Sequence, residues 1–133
     1  MNQVKWGVMG TAYIFERDTA RGMSLADNCE LTAIAGRTLE KAEAFKEKYG
    51  FQRAYGSYME LLEDPEIEAV YIALPNTLHY EWTIQALKHG KHVLCEKPLA
   101  PTGQQAREMF QTAKENNVLL MEAFAYQHSP YIK

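Results

Sequence analysis

"AVYIALPNTLHYEWTIQALKHGKHVLCEKP", residues 69–98, sets two short apolar runs on either side of one amphipathic stretch. The first run, "AVYIALP" (69–75), does not alternate apolar with polar residues, which is how a strand buried on both faces of a parallel sheet reads. Asn76 then stands as the N-cap of a helix that Gly90 ends, with Lys88 and His89 in its last turn, where positive charge suits the helix dipole. "KHVLCE" (91–96) is the next strand. Strand, capped helix and strand, with no hairpin turn, form a parallel crossover unit.

The same alternation extends in both directions. "VKWGVMG" (4–10), "ELTAIAG" (30–36) and "NVLLMEAF" (117–124) read as further buried strands, and "QRAYG" (52–56) as a weaker one. Between them, "LEKAEAFKEKYG" (39–50) places Leu39, Ala42, Phe45 and Tyr49 on one helical face, with Thr38 as N-cap and Gly50 as the stop. Ser57-x-x-Glu60 and Thr102-x-x-Gln105 have capping-box form, and the second opens a helix expected to bury Ala106, Met109, Phe110 and Ala113. The predicted fold is α/β: a Rossmann-type doubly wound parallel sheet between two helical layers, over residues 1–120, with 121–133 starting a connection onward. In such sheets ligands gather at the carboxyl ends of the strands.

Composition narrows the function classes. The 133 residues carry a net charge of −3 and are 47% hydrophobic and 23% charged, which is ordinary for a globular domain and gives no basic footprint for nucleic acid. No apolar run approaches membrane-spanning length, and "MNQVKWGVMG" lacks a signal-peptide pattern. Two cysteines, Cys29 and Cys95, are too few for a disulfide framework and suit reduced core thiols in a cytoplasmic protein. His89, His92 and His128 have no metal-ligand spacing, so no metal is assigned.

Four short segments carry candidate chemistry. After the first strand, Gly10 holds the leading position of a glycine-rich phosphate loop, with Ala12 and Phe15 at its second and third positions; Phe15 predicts looser helix–sheet packing there. The second strand ends "AGRT", with no acidic residue to bind a ribose 2′-hydroxyl. Arg37 stands in that place and can pair with a 2′-phosphate, which favours NADP over NAD. Pro75 and Asn76 end a strand at the same edge, and His79 lies one turn on, where a lone histidine caps or packs more often than it catalyses. In "CEKP", Lys97 sits between Glu96 and Pro98 at a strand terminus, an extended position from which an ammonium can reach a substrate hydroxyl or carbonyl.

Taken in order, "WGVMGTAYI", "AGRT", "YIALPNTLHYEWTIQALKHGKHVLCEKPLA" and "LLMEAF" resemble the N-terminal domain of the glucose-fructose oxidoreductase/inositol dehydrogenase/MocA family, across nearly the whole chain. The "AGRT" and "MEAF" wording is similar to its NADP-linked sugar and dihydrodiol dehydrogenase-like branch. The resemblance implies hydride transfer between a nicotinamide and a hydroxyl-bearing carbon of a sugar, polyol or diol. It implies that Gly10, Thr11, Ala12, Tyr13 and Ile14 hold the pyrophosphate, and that Arg37 and Thr38 hold the adenosine ribose or its phosphate. Leu74, Pro75, Asn76 and His79 would line the cofactor groove, Glu96 would meet the nicotinamide ribose region, and Lys97 would bond the reacting oxygen as the catalytic residue. Family members often carry an aromatic–Arg pair after "EAF", whereas here Tyr126 is followed by Gln127.

The family also has a C-terminal α/β domain that supplies substrate pocket, acid–base histidine and dimer contact. The 133 residues alone are therefore expected to bind cofactor but turn over little, and to self-associate through the surface that domain would cover. Two other readings stay open at this point: a free-standing, non-catalytic dinucleotide-binding module or redox sensor, and an α/β interaction domain that binds no nucleotide.

Overall fold

A computed structural model describes residues 3–12 and 15–123 of the chain. Among the described residues six strands, β1 (Val4–Met9), β2 (Cys29–Ala35), β3 (Arg53–Tyr55), β4 (Ala69–Ile72), β5 (His92–Glu96) and β6 (Leu120–Ala123), form one sheet in the order β3-β2-β1-β4-β5-β6. All five pairings are parallel. The weak segment 52–56 is the short edge strand β3, and β6 carries the sheet to Ala123. Among the described residues no helix is long and apolar enough to cross a membrane.

Two apolar layers flank the sheet. On one face, Val8, Ile34 and Tyr71 meet α1 (Ala20–Leu25) and α2 (Leu39–Tyr49). On the other, Met9, Ala35, Val70, Ile72 and Cys95 meet α3 (Tyr58–Leu62), α4 (His79–Lys88) and α5 (Gly103–Glu115). Each strand contributes residues to both faces, which explains the unbroken apolar runs. Three helices start at the predicted caps: the side chains of Thr38, Ser57 and Thr102 accept from the N–H groups of Lys41, Glu60 and Gln105 at 3.2, 3.2 and 3.1 Å. Gly50 closes α2 in the left-handed conformation (φ 80°).

Four local expectations are corrected. Asn76 does not cap α4: a 3₁₀ turn, Asn76–Leu78, precedes it, closed by the Leu78 N–H on the Pro75 carbonyl at 2.9 Å. Leu39 is 52% exposed, because it opens α2 above the edge strand, where it lies over Gly56. Phe110 is 49% exposed: α5 points Met109 and Ala113 at the sheet, and Phe110 lies about 100° further round the helix. Phe15 does not loosen the packing. It is fully buried, at 5.5 Å from Tyr49, 6.0 Å from Phe51 and 6.1 Å from Tyr71 between ring centroids. It opens a five-residue π turn (Phe15–Thr19), wider than an α turn.

Candidate functional site

The sheet order reverses between β1 and β4, so the chain leaves these neighbours toward opposite faces and a crevice opens at their carboxyl ends. Gly10 floors it. Its φ is 110°, its N–H bonds the Ala35 carbonyl at 2.8 Å, and a Cβ there would lie 2.5 Å from the Ala73 carbonyl oxygen. Only glycine fits such an approach. Thr11 packs against Gly36, where an added Cβ would come within 3.1 Å of its methyl, and Thr11 and Ala12 are half-buried at the crevice. Tyr13 and Ile14 lie outside the described residues, as do Tyr126 and Gln127.

At the end of β2, Arg37 and Thr38 are exposed, and Arg37 makes no ion pair among the described residues. Thr38 gives its oxygen to the α2 cap and keeps its O–H for another acceptor. Tyr58, the first residue of α3, lies next to them: burial raises its pKa while the Arg37 charge opposes the rise. Its ring meets Trp82 edge-on at 5.3 Å.

The opposite wall is built from β4 and β5. Leu74 is buried, while Pro75 and Asn76 are exposed at the rim. His79 is 1% exposed and does not face the groove; its Nδ1 lies 2.7 Å from the Pro98 carbonyl and its Nε2 2.7 Å from that of Leu74. Glu96, half-buried at the end of β5, accepts from the Tyr71 hydroxyl, which accepts in turn from Thr19 Oγ1 at 3.1 Å. Lys97 follows, exposed, and its peptide bond to Pro98 is cis. The sheet thus brings Gly10, Arg37, Leu74, Glu96 and Lys97 to one edge, although they span 87 positions of sequence (10 to 97). Neither thiol belongs to this edge chemistry: burial pushes Cys29 up to about 11 and Cys95 up to about 12.

Tyr71, Tyr58 and Glu122 take part in or around the site without any sequence signal. Tyr71 reads as one more aromatic in an apolar run, and only its hydroxyl, meeting Glu96 across the β4–β5 pair, sets it apart. Tyr58 reads as a helix start. Glu122 is a lone acid in "LLMEAF", and nothing in the sequence says that its carboxylate meets the Leu99 N–H.

A parallel six-stranded sheet with a glycine floor at its switch point, and an exposed arginine at the second strand's end, defines a Rossmann dinucleotide-binding domain. The residues fit a dinucleotide: Gly10 allows close backbone approach, and Arg37 is an exposed cation at the end of β2. The chain belongs to the Gfo/Idh/MocA family, described as an oxidoreductase family with an NAD-binding Rossmann fold, whose profile matches residues 4–124.

It is 42% identical over 129 residues to the dTDP-3,4-didehydro-2,6-dideoxy-alpha-D-glucose 3-reductase of Actinomadura kijaniata, covering 97% of this chain and 39% of that protein. It is 41% identical over 122 residues to the trans-1,2-dihydrobenzene-1,2-diol dehydrogenase of Xenopus laevis, covering 90% of this chain and 37% of that one. Among solved structures it is similar to KijD10, a 3-ketoreductase from Actinomadura kijaniata in complex with NADP, with a TM-score of 0.94 at 41% identity over 98% of this chain and 41% of that chain. The chain spans about two fifths of the length of these relatives.

Proposed function

We propose that this chain is the NADP-binding domain of an oxidoreductase that moves a hydride between the nicotinamide and a hydroxyl-bearing carbon of a sugar, polyol or related diol. The observation that carries the cofactor choice is Arg37: exposed at the end of β2 and, among the described residues, without an ion pair, where an NAD-selective site would place a carboxylate. The related reductase structure that holds NADP supports the same choice. The sugar and diol substrates of the relatives suggest the substrate class.

In this proposal Gly10, Thr11, Ala12, Tyr13 and Ile14 hold the pyrophosphate, and Arg37 and Thr38 the ribose 2′-phosphate. Leu74, Pro75 and Asn76 form the groove wall, with His79 acting from behind it. Glu96, oriented by Tyr71, faces the nicotinamide ribose. When bound, the nicotinamide supplies or accepts the hydride. Lys97 donates a hydrogen bond to the reacting oxygen and so stabilises the negative charge that grows there.

Titration with NADPH and NADH, followed by Trp6 and Trp82 fluorescence, tests this, since Trp82 packs on the tyrosine beside Arg37. One charge-assisted contact predicts roughly 10- to 150-fold tighter NADPH binding, lost in Arg37→Ala. Equal affinities would reassign the cofactor to NAD, and binding of neither nucleotide would overturn the proposal.

Self-association and a cytoplasmic setting form part of the same proposal. Over β1, β4, β5 and β6 the sheet face beyond α1 carries an open apolar hollow of about 410 Å³, lined by Trp6, Leu94, Leu119 and Met121 among others. Leu119 and Met121 are 70% and 57% exposed. Such a patch favours pairing between copies, and sedimentation that stays monomeric at rising concentration would refute it. Both thiols are free, in accord with a reducing compartment.

A further inference from the structure

The loop that carries Lys97 is gripped at one point from two sides. The Pro98 carbonyl and the Leu99 N–H belong to the same peptide group. His79 Nδ1 lies 2.7 Å from that carbonyl, and the Leu99 N–H donates to Glu122 Oε2 at 2.5 Å. The two side chains come from different elements, α4 and β6, and both are ionisable types. Below the peptide, Leu99 is 5% exposed and packed in the core with Met109, Val93 and Leu120. The other nitrogen of the His79 ring faces the Leu74 carbonyl at 2.7 Å, so one imidazole lies between the Lys97 loop and the segment that follows β4 on the same wall.

We propose that His79 and Glu122 are positioning residues that clamp the Pro98–Leu99 peptide and thereby fix where Lys97 stands relative to Leu74, Pro75 and Asn76. The inference rests on the role given to Lys97 above. The argument is one of partners. A peptide group withdrawn from water without partners is costly; this one is part-buried, and ordinary sheet pairing ends at Glu96, before it. Backbone or water could satisfy it loosely, whereas a carboxylate and an imidazole, each anchored on rigid structure, satisfy it in one orientation. Both carbonyls facing His79 only accept, so the tautomer decides which bond is made, and the clamp requires the ring N–H to be at Nδ1. A ring that served merely to fill the core would not need a polar partner at either end; an apolar side chain of similar size would do the same without desolvating two nitrogens.

The test uses the 133-residue chain itself, by NMR without cofactor and then by NADPH titration. In the unmodified chain the His79 ring should carry its proton on Nδ1, and the Leu99 amide should exchange slowly. Glu122→Ala should speed Leu99 exchange roughly tenfold or more and shift the Lys97 amide, while amides in β1 and β4 keep their protection. It should also weaken NADPH binding about tenfold. Glu122→Gln, which retains an acceptor oxygen, should restore most of both effects; a purely structural role would show as a uniform loss of protection instead. His79→Gln should move the Lys97 amide as well, and if that variant fails to fold, the two Glu122 variants still decide.

A bare Nδ1, or Leu99 exchange and a Lys97 amide that do not respond to Glu122→Ala, would overturn the clamp. Failure of the unmodified chain to bind either nucleotide would sink the proposed function instead, while the His79 and Leu99 signals would still judge the clamp.

Discussion

The two edges of the sheet use charge in opposite ways. At the amino edge, charged side chains are answered within the protein. Lys5 and Arg53 share Glu66 at 3.2 and 2.9 Å, Arg53 also meets Asp64 at 3.1 Å, and buried Lys91 donates to the carbonyls of Asp64 and Ile67, both at 2.8 Å. At the carboxyl edge, Arg37 and Lys97 are exposed beside a crevice, and the buried polar groups there, His79 and Tyr71, hold backbone or a carboxylate in place. The amino edge joins the loops that enter the strands, and the carboxyl edge borders the crevice in which the proposed cofactor would lie. On the proposed function, stability and binding are thus placed about one strand length apart.

That separation is open to direct attack, beginning where the effect is largest. Lys91→Met removes two buried hydrogen bonds and the cation beside Asp64. Loss of one partner from such a buried cluster predicts about 3 kcal/mol of destabilisation in urea unfolding, with the NADPH affinity of the folded protein unchanged. A matching loss of affinity would show that the edges are coupled.

Tyr71→Phe probes the other edge. It leaves Glu96 without its donor inside a packed layer, and should cost about 1–2 kcal/mol while weakening NADPH several-fold. Stability lost with affinity intact would mean that Glu96 has no part in the cofactor site.

Acid should act on the amino edge first. Burial by itself would raise the Asp64 pKa, but the Glu66 N–H, the Tyr55 hydroxyl, Arg53 and Lys91 together bring it below the usual value. A lowered folded-state pKa contributes stability that is complete above the unfolded value of about 3.9 and is lost as pH falls through the folded one. Urea midpoints measured from pH 6 down to pH 2 should therefore fall in that window, and less steeply in Asp64→Asn.

The smallest effect belongs to the solvent-facing pair. Glu66→Gln should shift the urea midpoint least of these variants, and by less still in high salt, because exposed ion pairs are screened.

Much of this was legible in the sequence because it depends on local patterns. Unbroken apolar runs mark buried strands, and Thr38, Ser57 and Thr102 announce helix starts whatever the chain does elsewhere. Gly10 and Arg37 could be chosen because their meaning depends on a position after a strand. Leu39 and Phe110 could not be placed: periodicity gives a helix an apolar side but not the width of sheet beneath it. Phe15 was misread for a related reason, since the partners that make it a core ring, Tyr49, Phe51 and Tyr71, lie 34 to 56 positions further along (49 − 15 and 71 − 15).

The sequence by itself determined a doubly wound α/β domain of a nicotinamide oxidoreductase family, and which residues reach the carboxyl edge, because strand ends are a local property. Only the tertiary structure decided what the polar side chains do there. His79 turned from a groove residue into a buried tie, and Tyr71 and Glu122 emerged as supports, because hydrogen bonds form between groups adjacent in space. That adjacency exists only once β4, β5 and β6 lie side by side.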